Sequence, residues 1–214
     1  MKVRRWKQHT ARGILMHSSV VVTPAAVPFG LKSIKFWNPG QFKGCNALKP
    51  KINPTRVRIK KKESSRWLEN VRQSTVLMNR PADYVHIGDR ESDIYELFCL
   101  IQYLGSWFVV RTCVDRLAGE GSDTVARKMA KAPVKGKHRV EGRTKTGEEY
   151  TALLQIKYEI FRARPPLGKQ KDHPTLEPMV IYALEERTPR GRERIHWKLL
   201  TNLPVDSMEA AMES

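Results

Sequence analysis

The chain has 214 residues, enough for one sizeable domain or for one domain with an inserted module. It is 40% hydrophobic and 29% charged, which fits a core-forming globular protein, and no apolar run approaches the roughly 20 residues of a membrane span. The formal net charge is +17, and it is lopsided: residues 1–62 hold fifteen Lys and Arg and no Asp or Glu, whereas the rest holds 24 basic and 22 acidic residues. A stretch of one sign attracts polyanions by counterion release without reading sequence. Charge alone does not separate DNA from RNA or from an acidic membrane surface. Cys45, Cys99 and Cys113 are scattered and lack metal-type spacing, so they are expected as reduced thiols of a cytoplasmic protein.

Residues 1–12 are basic and polar. Ile14 to Val22 is rich in β-branched and apolar residues and predicts a buried strand, with Val27 to Trp37 as its antiparallel neighbour and Asn38-Pro39-Gly40 as a turn. His17, inside that apolar run, is expected as a core histidine. Gln41 to Lys62, with Pro50, Pro54 and many lysines, predicts a surface loop. Ser64 or Ser65 then caps a helix with Trp67, Leu68, Val71, Thr75 and Met78 on one side, ended by Arg80-Pro81. Tyr84 to Ile87 predicts a short strand, and Gly88 a tight turn that sets Asp89 at the strand's C-terminal end, where open α/β sheets gather ligands and metals. Ser92 and Asp93 are good N-caps, with Glu96 as a capping-box partner. Ile94, Leu97, Phe98, Ile101 and Leu104 repeat at helical spacing, and Gly105 stops the helix. Trp107 to Arg111 predicts another strand, and two strands flanking one helix predict a parallel βαβ unit.

Beyond Cys113, Gly and Pro punctuate short β-like runs: His138 to Val140, Tyr150 to Phe161, Met179 to Leu184 and Ile195 to Thr201. These predict an antiparallel β insertion on an α/β core, and Met208 to Ser214 begins a helix. The expected organisation is residues 1–112 as core, 113–203 as β subdomain and 204–214 as the start of a further core helix.

The run Gly88-Asp89-Arg90-Glu91-Ser92-Asp93-Ile94-Tyr95-Glu96 resembles the signature around the second catalytic aspartate of bacterial insertion-sequence DDE transposases, the cut-and-paste group close to the Tn-five transposase. Further segments resemble that family in the same order: Ala11 to Ser18, Lys62 to Leu68, Trp107 to Arg111, and Trp197 to Thr201 followed by Pro204-Val205. The resemblance implies an incomplete ribonuclease-H-like mixed-sheet α/β core with an inserted antiparallel β subdomain. It also implies metal-dependent DNA cleavage and strand transfer in the intact family, by three carboxylates holding two magnesium ions, with manganese as an alternative.

On this resemblance Asp89 is the catalytic and metal-ligating candidate, and Arg90, Glu91 and Asp93 support it from behind, Asp93 as a cap. Arg111, Trp197 and Lys198 are the DNA-binding candidates: a guanidinium for phosphate, an indole for a flipped base, and an ammonium beside it. From the residues alone, Arg111 reads equally as a surface arginine and Trp197 as a packing residue. The family's Asp-Thr-Thr-like strand and its Tyr-x-x-Arg-x-x-x-Glu-x-x-x-x-x-x-Lys helix do not occur in the 214 residues. The expectation is therefore the middle of a transposase, DNA-binding but inactive alone, with an unpaired edge at Ile14 to Val22 and marginal stability. The alternatives are a non-catalytic nucleic-acid-binding protein or transposition inhibitor partnered with full-length transposase, and a nuclease using Asp89, Glu63 and Glu209. No membrane partner is expected.

Overall fold

A computed structural model describes residues 14–37, 64–119, 121–144 and 146–213. The segment of residues 1–12, the turn at Asn38, the loop to Lys62, Cys45 and Glu63 lie outside the described residues. The chain is mixed α/β and divides into two compact units, Met1–Arg66 and Trp67–Ser214.

In the first unit, β1 (Leu15–Val22) pairs antiparallel with β2 (Pro28–Trp37), from Leu15 opposite Trp37 to Val22 opposite Pro28. The expected hairpin forms because β-branched residues suit a pleated surface. Its faces sort by period two except at the bulge between Leu31 and Ser33, which brings Leu31 and Ile34 to the same face. Met16, Val20, Leu31, Ile34 and Phe36 share one face and are exposed, while Ser33 on the other is buried. His17 is half-buried, not a core residue.

The second unit opens with most of α1 (Ser65–Met78), which buries Leu68 and Val71 but also Asn70 and Ser74. The expected stripe is therefore partly polar, and Met78 stands 40% exposed. Asn79, at φ 53°, takes the left-handed position that ends a helix before Pro81 is reached.

A six-stranded mixed sheet follows. Its strands are β3 (Val85–Gly88), β4 (Trp107–Arg111), β5 (Gly136–Arg143), β6 (Glu149–Ile160), β7 (Met179–Glu185) and β8 (His196–Thr201), in the order β3-β4-β8-β7-β6-β5. β3 and β4 are parallel, in register from Val85–Trp107 to Gly88–Val110, and α2 (Tyr95–Tyr103) connects them as the expected βαβ unit. All other neighbours are antiparallel. The strands expected as a β insertion on the core continue the sheet of β3 and β4, with β8 pairing to β4 at Val109–Thr201, Val110–Leu200 and Arg111–Leu199. That short ladder is lengthened by side chains. Thr201 Oγ1 donates to the Phe108 carbonyl at 2.6 Å, and Asn202 accepts the Phe108 N–H at 2.7 Å while donating to the Ser106 carbonyl at 3.0 Å.

Both faces of the sheet are covered. On one, Phe98 of α2 stacks on Phe108 with ring centroids 4.8 Å apart, beside buried Val110, Leu200 and Val180. Farther along this face, α3 (Val125–Lys131) buries Met129, and Lys157 donates to its last carbonyls. On the other face, Ala152, Leu154, Ile156, Met179, Ile181 and Ala183 form a core with Val205 and Ala211. The short α4 (Met208–Glu213) is thus part of a core, and Met208 lies so close to β5 that a Cβ on Gly136 would come within 2.8 Å of its sulfur. No described helix is long and apolar enough to cross a membrane.

Candidate nucleic-acid interface

β3 and β4 run parallel, so their C-terminal ends lie side by side. One residue beyond their last pair, Gly88 and Val110, stand Asp89 and Arg111. β8 begins at this same end because it is antiparallel to β4, which brings His196, Trp197 and Lys198 alongside. The sequence pattern thereby collects residues some hundred positions apart.

The turn after β3 is not built as its residue types suggest. Gly88 does not take a left-handed φ; it is needed for close approach, since a Cβ there would meet Ser92 Oγ at 2.1 Å. Ser92 is buried and donates to the Asp89 carbonyl at 2.7 Å, closing a 3-10 turn over Arg90–Ser92. Asp89 caps that turn by accepting the Glu91 N–H at 2.9 Å, and its side chain is otherwise open to solvent, as are those of Arg90 and Glu91.

Asp93 does not cap α2. The N-cap is Ile94, with no side-chain cap, and the expected capping-box residue Glu96 instead forms a buried ion pair with Lys169. The Asp93 carboxylate, only 1% exposed, turns toward the residues after β4. One oxygen accepts from Thr112 Oγ1 at 2.8 Å and from the N–H groups of Cys113 and Val114 at 2.8 and 2.9 Å, while the other pairs with Arg116. Burial works against its charge, but the Arg116 guanidinium and the two N–H groups outweigh burial and hold the carboxyl below the usual aspartate range. Asp93 ties the exit of β4 to the turn after β3, with one oxygen taking three hydrogen bonds and the other facing the Arg116 cation.

An open groove of about 500 Å³ crosses this end of the sheet. Arg90, Arg111, Thr112 and Cys113 line one side; Glu193, Arg194, Ile195, His196, Trp197 and Lys198 line the other. It draws Arg111 and Trp197 from one face of the sheet and His196 and Lys198 from the other. Four cations face one carboxylate here. Trp197 is 43% exposed, so its indole is not spent on core packing. Lys198 Nζ lies 5.3 Å from the centroid of the Tyr182 ring, which also meets His196 edge-on. Burial, then Lys198 and Arg194, push the His196 imidazole down, which leaves it neutral at pH 7. Burial first, and Asp93 next, push the Cys113 thiol up, away from thiolate reactivity.

Of the residues predicted from sequence, Arg90, Arg111, Trp197 and Lys198 meet in this groove, Asp89 and Glu91 flank it on the same turn, and Asp93 lies beneath it. Sequence reasoning passed over Arg194 and Arg116, and also the buried pair of Glu185 with Arg192 behind the groove wall. The visible signal was a Glu closing the apolar run Met179 to Leu184 and an arginine at every second position from Arg190 to Arg194. An acid ending an apolar run costs several kcal/mol to bury unless paired.

The donor set suits phosphate better than metal. Among the described residues no three His, Cys, Asp or Glu side chains are grouped to hold a metal ion. Magnesium takes a full octahedron of oxygens, usually with one or two carboxylates and substrate phosphates. Asp89 offers one carboxylate, so the described residues do not fit a two-metal centre by themselves. Three planar guanidinium groups, an ammonium and an exposed indole are donors of the kind that bind phosphates and stack on an accessible base. A scan against protein-family models and a search among curated proteins returned no match to this chain.

Proposed function

We propose that these residues belong to the ribonuclease-H-like core of a DDE transposase, that the groove at the end of the sheet binds DNA, and that Asp89 descends from one of the metal-ligating carboxylates of that family. One observation carries the reading. A single resemblance points to Asp89, Arg111 and Trp197 in three separate stretches of sequence, and the three come to the same end of one sheet, with Lys198 next to Trp197. The electrostatics support it, because four cations against one carboxylate make a surface for a polyanion. That lining carboxylate is Glu193; the metal candidate Asp89 stands beside the groove, and among the described residues no three His, Cys, Asp or Glu side chains are grouped to hold a metal ion, so on this reading the chain grips DNA without cutting it.

The test uses fluorescence anisotropy with two DNAs of equal charge, a blunt duplex and a duplex ended by a hairpin with an unpaired base. Trp197→Ala should weaken binding to the hairpin DNA by about 1–3 kcal/mol, with far less effect on the blunt duplex. Equal affinities of Trp197→Ala and the unaltered chain for the hairpin DNA would remove the indole from the interface. Magnesium-dependent nicking by the chain, abolished in Asp89→Ala, would overturn the statement that it does not cut.

A further inference from the structure

We propose that Glu185 is the positioning residue of the groove: its buried carboxylate, latched to Arg192, fixes the segment 192–195 and so delivers Arg194, Trp197 and Lys198 to DNA. The inference rests on the reading of the groove as a DNA-binding surface.

Glu185 is the last residue of β7 and is 0% exposed. Every polar group it owns is spent on the segment that returns to β8. Its N–H donates to the Ile195 carbonyl at 2.9 Å, and its carbonyl accepts from Arg194 Nε at 2.8 Å and Nη2 at 2.6 Å. Carboxylate Oε2 accepts from Arg192 Nη1 at 3.0 Å and from the Ile195 N–H at 3.0 Å, and Oε1 pairs with Arg192 Nη2. The Arg192 guanidinium lies over the Tyr150 ring, 4.1 Å from its centroid. Tyr150 itself is seated on Gly142, where a Cβ would come within 2.6 Å of the ring. A rigid stack from β5 and β6 therefore holds the arginine, the arginine holds the glutamate, and the glutamate holds residues 192–195. Residues 193–198 are the groove wall.

Stability does not explain an ionic pair in this place. Well-packed apolar residues of similar volume serve a core as well as a buried pair, or better. A bidentate carboxylate–guanidinium contact supplies direction, which apolar packing does not. The Arg194 guanidinium is aimed by the Glu185 backbone carbonyl, which holds two of its N–H donors, while the carboxylate fixes the backbone on either side of it through Arg192 and the Ile195 N–H.

The experiment measures duplex affinity of the full chain against salt, together with thermal stability. The Glu185→Leu/Arg192→Leu double variant is expected to keep its melting temperature while the slope of log affinity on log salt becomes shallower by about 1, the share of one phosphate contact. Glu185→Gln serves as a second variant should the double variant fail to fold, with the same shallower slope expected. Val180→Ala, a core change on β7, controls for lost stability and should melt earlier with an unchanged slope. A folded double variant, or Glu185→Gln, with the original slope overturns the proposal. Lys198→Ala separates the two claims. A shallower slope in Lys198→Ala with none in the Glu185 variants makes the latch wrong and the groove right, and no change in any of them removes the groove reading as well.

Discussion

At the level of single residues, the turn from Gly88 to Asp93 shows how one motif divides its labour. Asp89 faces solvent, Ser92 packs inward on Gly88, and Asp93 reaches across to the exit of β4. Gly88→Ala is expected to destabilise the chain by about 1–3 kcal/mol, because the new methyl overlaps Ser92. A urea titration reads this as a lower midpoint, and Gly88→Ala combined with Ser92→Gly should recover most of it. A Gly88→Ala variant with an unchanged midpoint would show that Ser92 yields freely. The sequence made Asp89 legible because a strand, a glycine and an acid in that order have a local meaning. It hid the role of Asp93, whose partners Thr112, Cys113, Val114 and Arg116 lie some twenty residues away and lend Asp93 no local signature.

At the level of elements, the parallel β3–α2–β4 unit was legible because period and punctuation encode it locally. The joining of β8 to β4 was not. It depends on the Thr201 and Asn202 side chains finding the backbone around Phe108, more than ninety residues earlier, and composition does not say which core strand the β insertion joins. The two buried acids also give the elements a shared response to pH. Asp93 and Glu185 are held below their ordinary values of 3.8 and 4.5, in Asp93 by Arg116 and two N–H groups against the opposing effect of burial, in Glu185 foremost by its hydrogen bond from Arg192. A depressed acid binds its proton more weakly in the folded chain than in the unfolded one. Its contribution is therefore fully present above the unfolded value and drains as pH falls through 4.5 and 3.8 toward the lower folded values. Urea midpoints should stay level from about pH 7 to pH 5 and fall by about pH 3, and the Glu185→Leu/Arg192→Leu variant should lose less over that interval. An identical acid loss in that variant would mean that the Glu185 pair takes no part.

Across the whole molecule, charge is distributed for two kinds of contact. On the proposed reading the acid-free stretch of residues 1–62 adds a general attraction to polyanions, whereas the groove places four cations and an indole at fixed points at the end of a sheet. The first kind was plain in the composition. The second emerges only where β8 lies beside β4, although Arg90, Arg111, Trp197 and Lys198 are legible as candidates in the sequence and only Arg194 is not. The most direct measurement is the salt dependence of duplex binding by the chain and by an Arg111→Ala/Arg194→Ala/Lys198→Ala variant. With three phosphate contacts removed, the slope of log affinity on log salt should become shallower by about 3 while the melting temperature holds. An unchanged slope would contradict the account, since DNA would then be held by the basic stretch alone and the groove would serve some other purpose.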